Sequence, residues 1–189
     1  MATFLIETPV PELPALEFVR VHPADPRATF LLADLQAEYD RLYPSQAEAA
    51  KADKEINAYP AEVFTPEQGG DFVLLLSKGE AVAGGAMMRT GDRLAPRGAV
   101  EFKRIWTHPN YRGRGLSKYL LRELELRAAA AGYRHIYLTT GPAQPTAVKL
   151  YEGYGYKTVD LGADTGTYHA FTKPLDEHRT VLEQREGRH

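Results

Sequence analysis

The sequence contains no cysteine. That excludes disulfides, thiolate metal sites and a cysteine nucleophile, and it leaves the compartment open. Long apolar runs are also missing. The longest, "FVLLL" (Phe72–Leu76) and "AVAGGAMM" (Ala81–Met88), fall far short of the ~20 residues a bilayer-spanning helix needs. The opening "MATFLIETPVPELP" has no basic region and no long apolar segment, so no signal peptide is expected there. The expectation is a cytoplasmic protein without a membrane partner. An excess of positive charge is absent too: 23 Lys and Arg against 25 Asp and Glu give a net charge of -2. Nucleic acid is therefore not an expected partner, and any cationic site must be local. The six histidines form no His-x-x-x-His pair, so no metal site is expected. His108 and His135 read as surface or core residues.

What is present suits one domain with 43% hydrophobic residues. Expected boundaries are an arm over residues 1–15, one domain over 16–175 and a charged tail over 176–189. "ALEFVRVHP" (Ala15–Pro23) reads as a strand stopped by proline. Pro26–Leu42 reads as a helix, with Asp25 as N-cap and Pro26 at its first position. Ser45–Tyr59 reads as a second, more polar helix. Asp71–Arg89 reads as a hairpin turning at Lys78-Gly79. "AVEFKRIWTHP" (Ala99–Pro109) is another strand. Gly115–Ala131 is the clearest helix: Leu116, Leu120, Leu124 and Ala128 form one stripe, and Gly132 stands where a left-handed glycine ends a helix. His135–Gly141 reads as a strand, Pro145–Glu152 as a short helix, and "YGYKTVD" and "TYHAFTKPL" as closing strands. The order β-α-α-β-β-β-α-β-α-β-β implies a mixed α/β sheet with one parallel crossover around the glycine-rich loop.

That loop, "HPNYRGRGLSKYLL" (His108–Leu121), puts two glycines and two arginines directly before a helix. A helix N-terminus offers unpaired N–H groups and partial positive charge, and glycines allow close approach. The string alone fits a phosphate cradle or a plain solvated turn equally. It is neither a Walker loop nor a dinucleotide fingerprint, since Lys118 stands where the last glycine would fall.

With the strand "FKRIWTHP" before it and an amphipathic helix after it, "RGRGLS" resembles the acyl-CoA motif Arg/Gln-x-x-Gly-x-Gly/Ala of the GNAT N-acetyltransferase superfamily. Arg112, Gly115 and Ser117 occupy the marked positions, and Ser117 departs from the usual Gly or Ala. Downstream, "QPTAVKLYEGYGY" (Gln144–Tyr156) resembles the superfamily's second block through Ala147, Leu150, Tyr151, Gly155 and Tyr156. The resemblance implies a mostly antiparallel central sheet with a V-shaped splay between its two middle strands, flanked by about four helices. It implies acetyl-CoA as cosubstrate and a primary amine of a small molecule or peptide as acceptor. Ile105, Trp106 and Thr107 would bind the pantetheine arm through their backbone. Arg112, Gly113, Arg114, Gly115, Leu116 and Ser117 would hold the diphosphate, with Lys118 near the adenosine and Gln144 also toward the cofactor. Dimerisation is common in the superfamily, so the resemblance admits a homodimer.

Ten residues lie between Glu101 and Arg112, the spacing at which histone-type members carry a glutamate base. Glu101 is therefore the candidate base; the alternative is a salt bridge to Lys103 or Arg104. Strand alternation puts Glu101, Lys103 and Ile105 on one face unless a bulge intervenes. Tyr151 is the candidate acid for the leaving thiolate; the alternative is packing, because Ala147, Leu150, Tyr151 and Tyr154 repeat at helical spacing. Without cysteine there is no acyl-cysteine intermediate, so direct attack in a ternary complex is expected. The resemblance places the acceptor between the first helices and the last strands. There Glu38, Tyr39 and Tyr43 would face Tyr168 and His169. Two other readings stand beside this one: a GNAT-fold acyl-CoA sensor without turnover, and an RNA-binding or structural domain, which would need a wider basic surface.

Overall fold

Every residue from Asp71 to Ser77 is buried, a pattern that only a strand covered on both faces sustains. This strand, β2, lies inside a seven-stranded sheet. The computed structural model describes residues 11–43, 59–162 and 168–176. The remaining strands are β1 (Leu16–Arg20), β3 (Glu80–Arg89), β4 (Ala99–Thr107), β5 (His135–Thr140), β6 (Lys157–Thr158) and β7 (His169–Pro174). Their order across the sheet is β1-β2-β3-β4-β5-β7-β6. All neighbours are antiparallel except β4 and β5, which run parallel.

Three α-helices are present among the described residues: α1 (Thr29–Leu42), α2 (Leu116–Ala130) and α3 (Pro145–Gly153). The expected second helix, Ser45–Tyr59, lies outside the described residues except for Tyr59. Asp25 accepts the Arg27 N–H as an N-cap should, but the turn it caps, Pro26–Ala28, is a 3-10 turn, and the α-helix begins at Thr29. The Lys78-Gly79 turn is as expected. Both residues have positive φ, the two-residue geometry that matches strand twist.

The helices cover the two faces separately. Against one face, Leu116, Leu120, Leu121 and Leu124 of α2 join Val100, Phe102 and Tyr151 in the larger core. On the other, Leu31 and Leu35 of α1 join Phe72, Leu74 and Trp106. The small residues of β3 make both approaches possible. A side chain at Gly84 would overlap Leu31 and Leu74, and one at Gly85 would press on Ile105 and Leu124.

Two irregularities shape β4. First, β4 pairs with β5 only at Ala99, Val100 and Glu101. Beyond Glu101 it keeps only its β3 partner, while β5 continues beside β7. The two middle strands therefore splay, as the V-shaped expectation required. Second, the β3–β4 register slips between Gly84 and Ala86, and Arg104 sits at φ +58°. A left-handed non-glycine residue costs about 1–2 kcal/mol. The bulge divides the alternation. Glu101 and Lys103 lie toward the α1 face, whereas Ile105 packs with α2. The three therefore do not share a face.

Candidate functional site

The loop after β4 turns through Pro109–Tyr111 and reaches α2 at Leu116. Gly113 and Gly115 both have φ +78°, a conformation that favours glycine, and Gly115 stands at the N-cap. It has no side chain to cap the helix. The intrahelical ladder begins with Tyr119 N–H donating to the Gly115 carbonyl at 3.1 Å. The N–H groups of Leu116, Ser117 and Lys118 precede that ladder and point out of the helix end. Leu116 is itself buried in the core, so only its backbone faces the loop. This row of donors at a dipole terminus is what an anionic diphosphate requires.

Side chains fix the loop to its surroundings. Thr107 Oγ1 and Ser117 Oγ lie 2.9 Å apart. Arg112 Nε donates to the Thr107 carbonyl at 3.3 Å, and its Nη2 donates to Glu38 Oε2 at 3.0 Å. Trp106 Nε1 donates to Asp34 Oδ2 at 2.7 Å. Trp106 is buried, so a ligand in the splay can meet it only through its backbone. Arg114 stacks over Tyr111, and Lys118 is exposed. The Gln144 Oε1 accepts from Thr140 Oγ1 and the Gly141 N–H, so this side chain secures the end of β5.

Tyr151 lies on the opposite side of the splay. It is 6% exposed and packs on Tyr156 and Phe171 at ring-centroid distances of 5.7 and 5.5 Å. Burial pushes its phenol pKa up, and the nearby Tyr39 adds to the shift. The motif spacing has a backbone cause. Gly155, at φ +86°, closes α3, and the Tyr156 N–H returns to the Tyr151 carbonyl at 3.0 Å. This helix-ending turn folds Tyr156 against Tyr151. Tyr156 in turn donates to the fully buried Glu125 at 2.9 Å, and Lys173 pairs with the same carboxylate. Sequence reading missed this network, because Glu125 looks like one more outward charge on α2.

Glu101 is 7% exposed, and its Oε1 lies 2.9 Å from Lys103 Nζ. The ion pair is thus present, on the α1 face and at the last paired position before the splay. Of the residues proposed for the acceptor side, Glu38 is engaged by Arg112. Tyr39 and Tyr43 stack at 5.9 Å, and the Tyr43 hydroxyl occupies the space a Gly141 side chain would enter. The end of α1 therefore reaches across to the end of β5. His169 pairs with Thr140 at that same end and is exposed. Tyr168 instead packs into a small core with Tyr137 and Leu161. Among the described residues, no group of His, Asp and Glu could hold a metal ion, and no helix is long and apolar enough to cross a membrane.

Residues 31–156 match the model of the acetyltransferase (GNAT) family. N-acetyltransferase family 8 member 2 of Rattus norvegicus is 30% identical over 88 residues, which are 47% of this chain and 39% of that protein. The chain thus matches well under half the length of this curated relative. A Klebsiella pneumoniae structure, described as a candidate acyl-CoA N-acyltransferase, is 26% identical with a TM-score of 0.63, covering 85% of this chain and 98% of that one. The PaiA N-acetyltransferase of Thermoplasma acidophilum, solved with coenzyme A, shares the fold at a TM-score of 0.65 and 14% identity, covering 85% of this chain and 99% of that one.

Proposed function

We infer, for a chain that belongs to the acetyltransferase (GNAT) family, that it moves an acetyl group from acetyl-CoA to a primary amine of a small molecule or peptide by direct attack in a ternary complex. The observation that carries this reading is the uncapped N-terminus of α2 behind two positive-φ glycines, set at the mouth of the β4–β5 splay. The donors there fit a diphosphate, and the unpaired edge of β4 fits an extended amide-bearing arm.

Acetyl-CoA, when bound, supplies the acyl thioester. The N–H groups from Gly113 to Ser117 hold its phosphates, and β4 backbone groups at Ile105–Thr107 orient the arm. The incoming amine must be neutral, because an ammonium has no lone pair, and free amines have a pKa of about 10. Glu101, through its carboxylate or through water, takes the amine proton. The C–N bond forms as the C–S bond breaks, and the Tyr151 hydroxyl gives its proton to the departing sulfur. A phenol and a thiol differ by about 2 kcal/mol at their ordinary values. The buried phenol gives up its proton at greater cost, so transfer accompanies the developing charge on sulfur.

The buried Glu101–Lys103 pair favours a second reading, an acyl-CoA-binding sensor without turnover, since the candidate base is already engaged. CoA release with acetyl-CoA and a panel of small amines, polyamines, aminoglycosides and peptides separates the two. Binding without release under every amine supports the sensor. Absence of acetyl-CoA binding sinks both. If Tyr151 is the acid, Tyr151→Phe lowers kcat by roughly 10²-fold or more and leaves the Kd for acetyl-CoA within about twofold. Unchanged kcat with weakened binding would remove it from the chemistry.

A further inference from the structure

A cavity of about 410 Å³ lies between α1 and the turn Ala61–Phe64, lined by Pro23, Leu32, Gln36, Tyr59, Ala61 and Arg104. Its lining mixes apolar and polar surface in near-equal measure, and two of its polar groups bear on a ligand. The first is the Arg104 guanidinium, whose carbon sits 4.4 Å from the Phe64 ring centroid and 6.0 Å from that of Phe72. The second is Gln36 Oε1, buried and without a hydrogen-bond partner. Its orientation is fixed, because Gln36 Nε2 donates to Asp40 Oδ1 at 2.9 Å, which only the amide nitrogen can do.

The backbone is organised around this arrangement. Simple alternation after Phe102 and Lys103 would turn residue 104 toward the apolar α2 face. The bulge and the positive φ of Arg104 carry it to the α1 face instead. Bulges beside active sites commonly re-aim a side chain in this way. Desolvation there lowers the Arg104 pKa. Stacking on Phe64 uses the face of the guanidinium, whereas carboxylates are recognised at its N–H edge. With five donors, the group serves more than one partner.

We propose that this cavity binds a carboxylate of the acceptor, with Arg104 taking the carboxylate and Gln36 Oε1 accepting a neighbouring N–H or O–H, so that the acceptors are amino-acid-like amines. The proposal rests on the acetyltransferase reading above and narrows its substrate class. Arg104 directly precedes Ile105–Thr107 in β4, so the same strand carries the cavity's cation and the segment that would orient the thioester.

The test compares free α-amino acids with their primary carboxamides, pairs that differ in the carboxylate alone, by CoA release from acetyl-CoA. The wild-type protein should favour acids over amides by tenfold or more in kcat/KM. Arg104→Gln should bring that ratio near one, with Arg104→Lys in between. Because Arg104 also packs on Phe64, Ala61→Phe provides a second variant that narrows the cavity and leaves Arg104 in place; it should raise KM for the acids. N-acetylglycine, a carboxylate without a reactive amine, should inhibit competitively against the acceptor. Equal use of acids and amides, or a ratio unmoved by both variants, overturns the assignment. Non-competitive inhibition or activation by N-acetylglycine also overturns it, because the cavity would then be an effector site. Calorimetry with acetyl-CoA separates the two levels. Binding and turnover without carboxylate preference sink only the Arg104 assignment, whereas no acetyl-CoA binding sinks the acetyltransferase reading beneath it.

Discussion

The Thr107 hydroxyl at the end of β4 lies 2.9 Å from the Ser117 hydroxyl in the first turn of α2. Ten positions apart in sequence, the two join the strand that would orient the pantetheine arm to the helix end that would hold its phosphates. Ser117 stands where the family pattern has glycine or alanine, so this bond is a feature of this chain. Ser117→Ala should cost about 1 kcal/mol of stability and weaken acetyl-CoA binding by about fivefold or less, with kcat retained. Thermal denaturation and calorimetry check this. A loss of kcat alone would point instead to a role for the hydroxyl in the reaction.

Gly115→Ala separates backbone strain from ligand approach. A Cβ at Gly115 would meet nothing within 4 Å, so its cost is the φ of +78° alone, about 1–2 kcal/mol. Gly79 in the β2–β3 turn is a matched control, with φ +86° and equally open space. Both alanine variants should lose similar stability. Only Gly115→Ala should also lose acetyl-CoA affinity, because its Cβ projects where a phosphate must approach the N–H row. Equal affinity in the two variants would place the diphosphate elsewhere.

These contrasts show what the sequence carries. The glycine loop and the Leu150–Tyr156 block were legible because each is a local backbone device, a helix start and a helix end, whose residues are contiguous. The bulge at Arg104 was not legible, since it arises from the register between β3 and β4, and nothing in "EFKRIW" marks the slip. Arg112 was read as a phosphate ligand, and its contact with Glu38 spans 74 residues, beyond any local pattern. Glu125 was hidden because a buried carboxylate on an amphipathic helix is recognisable only once Lys173 and Tyr156 are seen against it.

Tyr137, Tyr151 and Tyr156 all have raised phenol pKa values. Burial is the first cause in each; Asp92 adds to it for Tyr137, and Glu125 for Tyr156. A group whose folded pKa is raised contributes stability that is complete below its unfolded value and is lost as pH rises. The unfolded value for tyrosine is about 10. Stability should therefore be insensitive to these groups from neutral pH to about 9.5 and decline above about 10. Of the 11 tyrosines, these three should form tyrosinate only together with loss of the fold. Ultraviolet absorbance followed in parallel with circular dichroism tests this. Full tyrosinate formation before unfolding would contradict the buried placement of the candidate acid.

Lys173→Met tests whether the buried network positions Tyr151. Lys173 Nζ lies 2.9 and 3.1 Å from the two oxygens of Glu125, a residue with no solvent exposure, and Tyr156 donates to the same carboxylate. Removing the cation leaves a buried charge uncompensated, which costs about 3–5 kcal/mol. Glu125→Gln combined with Lys173→Met removes both charges while keeping an acceptor for the Tyr156 hydroxyl, so the double variant should recover most of that loss. A merely structural network would change stability and leave the kinetics of the folded fraction alone. A positioning network acts through Tyr156, 5.7 Å from Tyr151, and should lower kcat in folded Lys173→Met with little change in KM for acetyl-CoA. The double variant should restore kcat along with stability. Recovery of stability without recovery of kcat would show that Tyr151 does not depend on this carboxylate for its place.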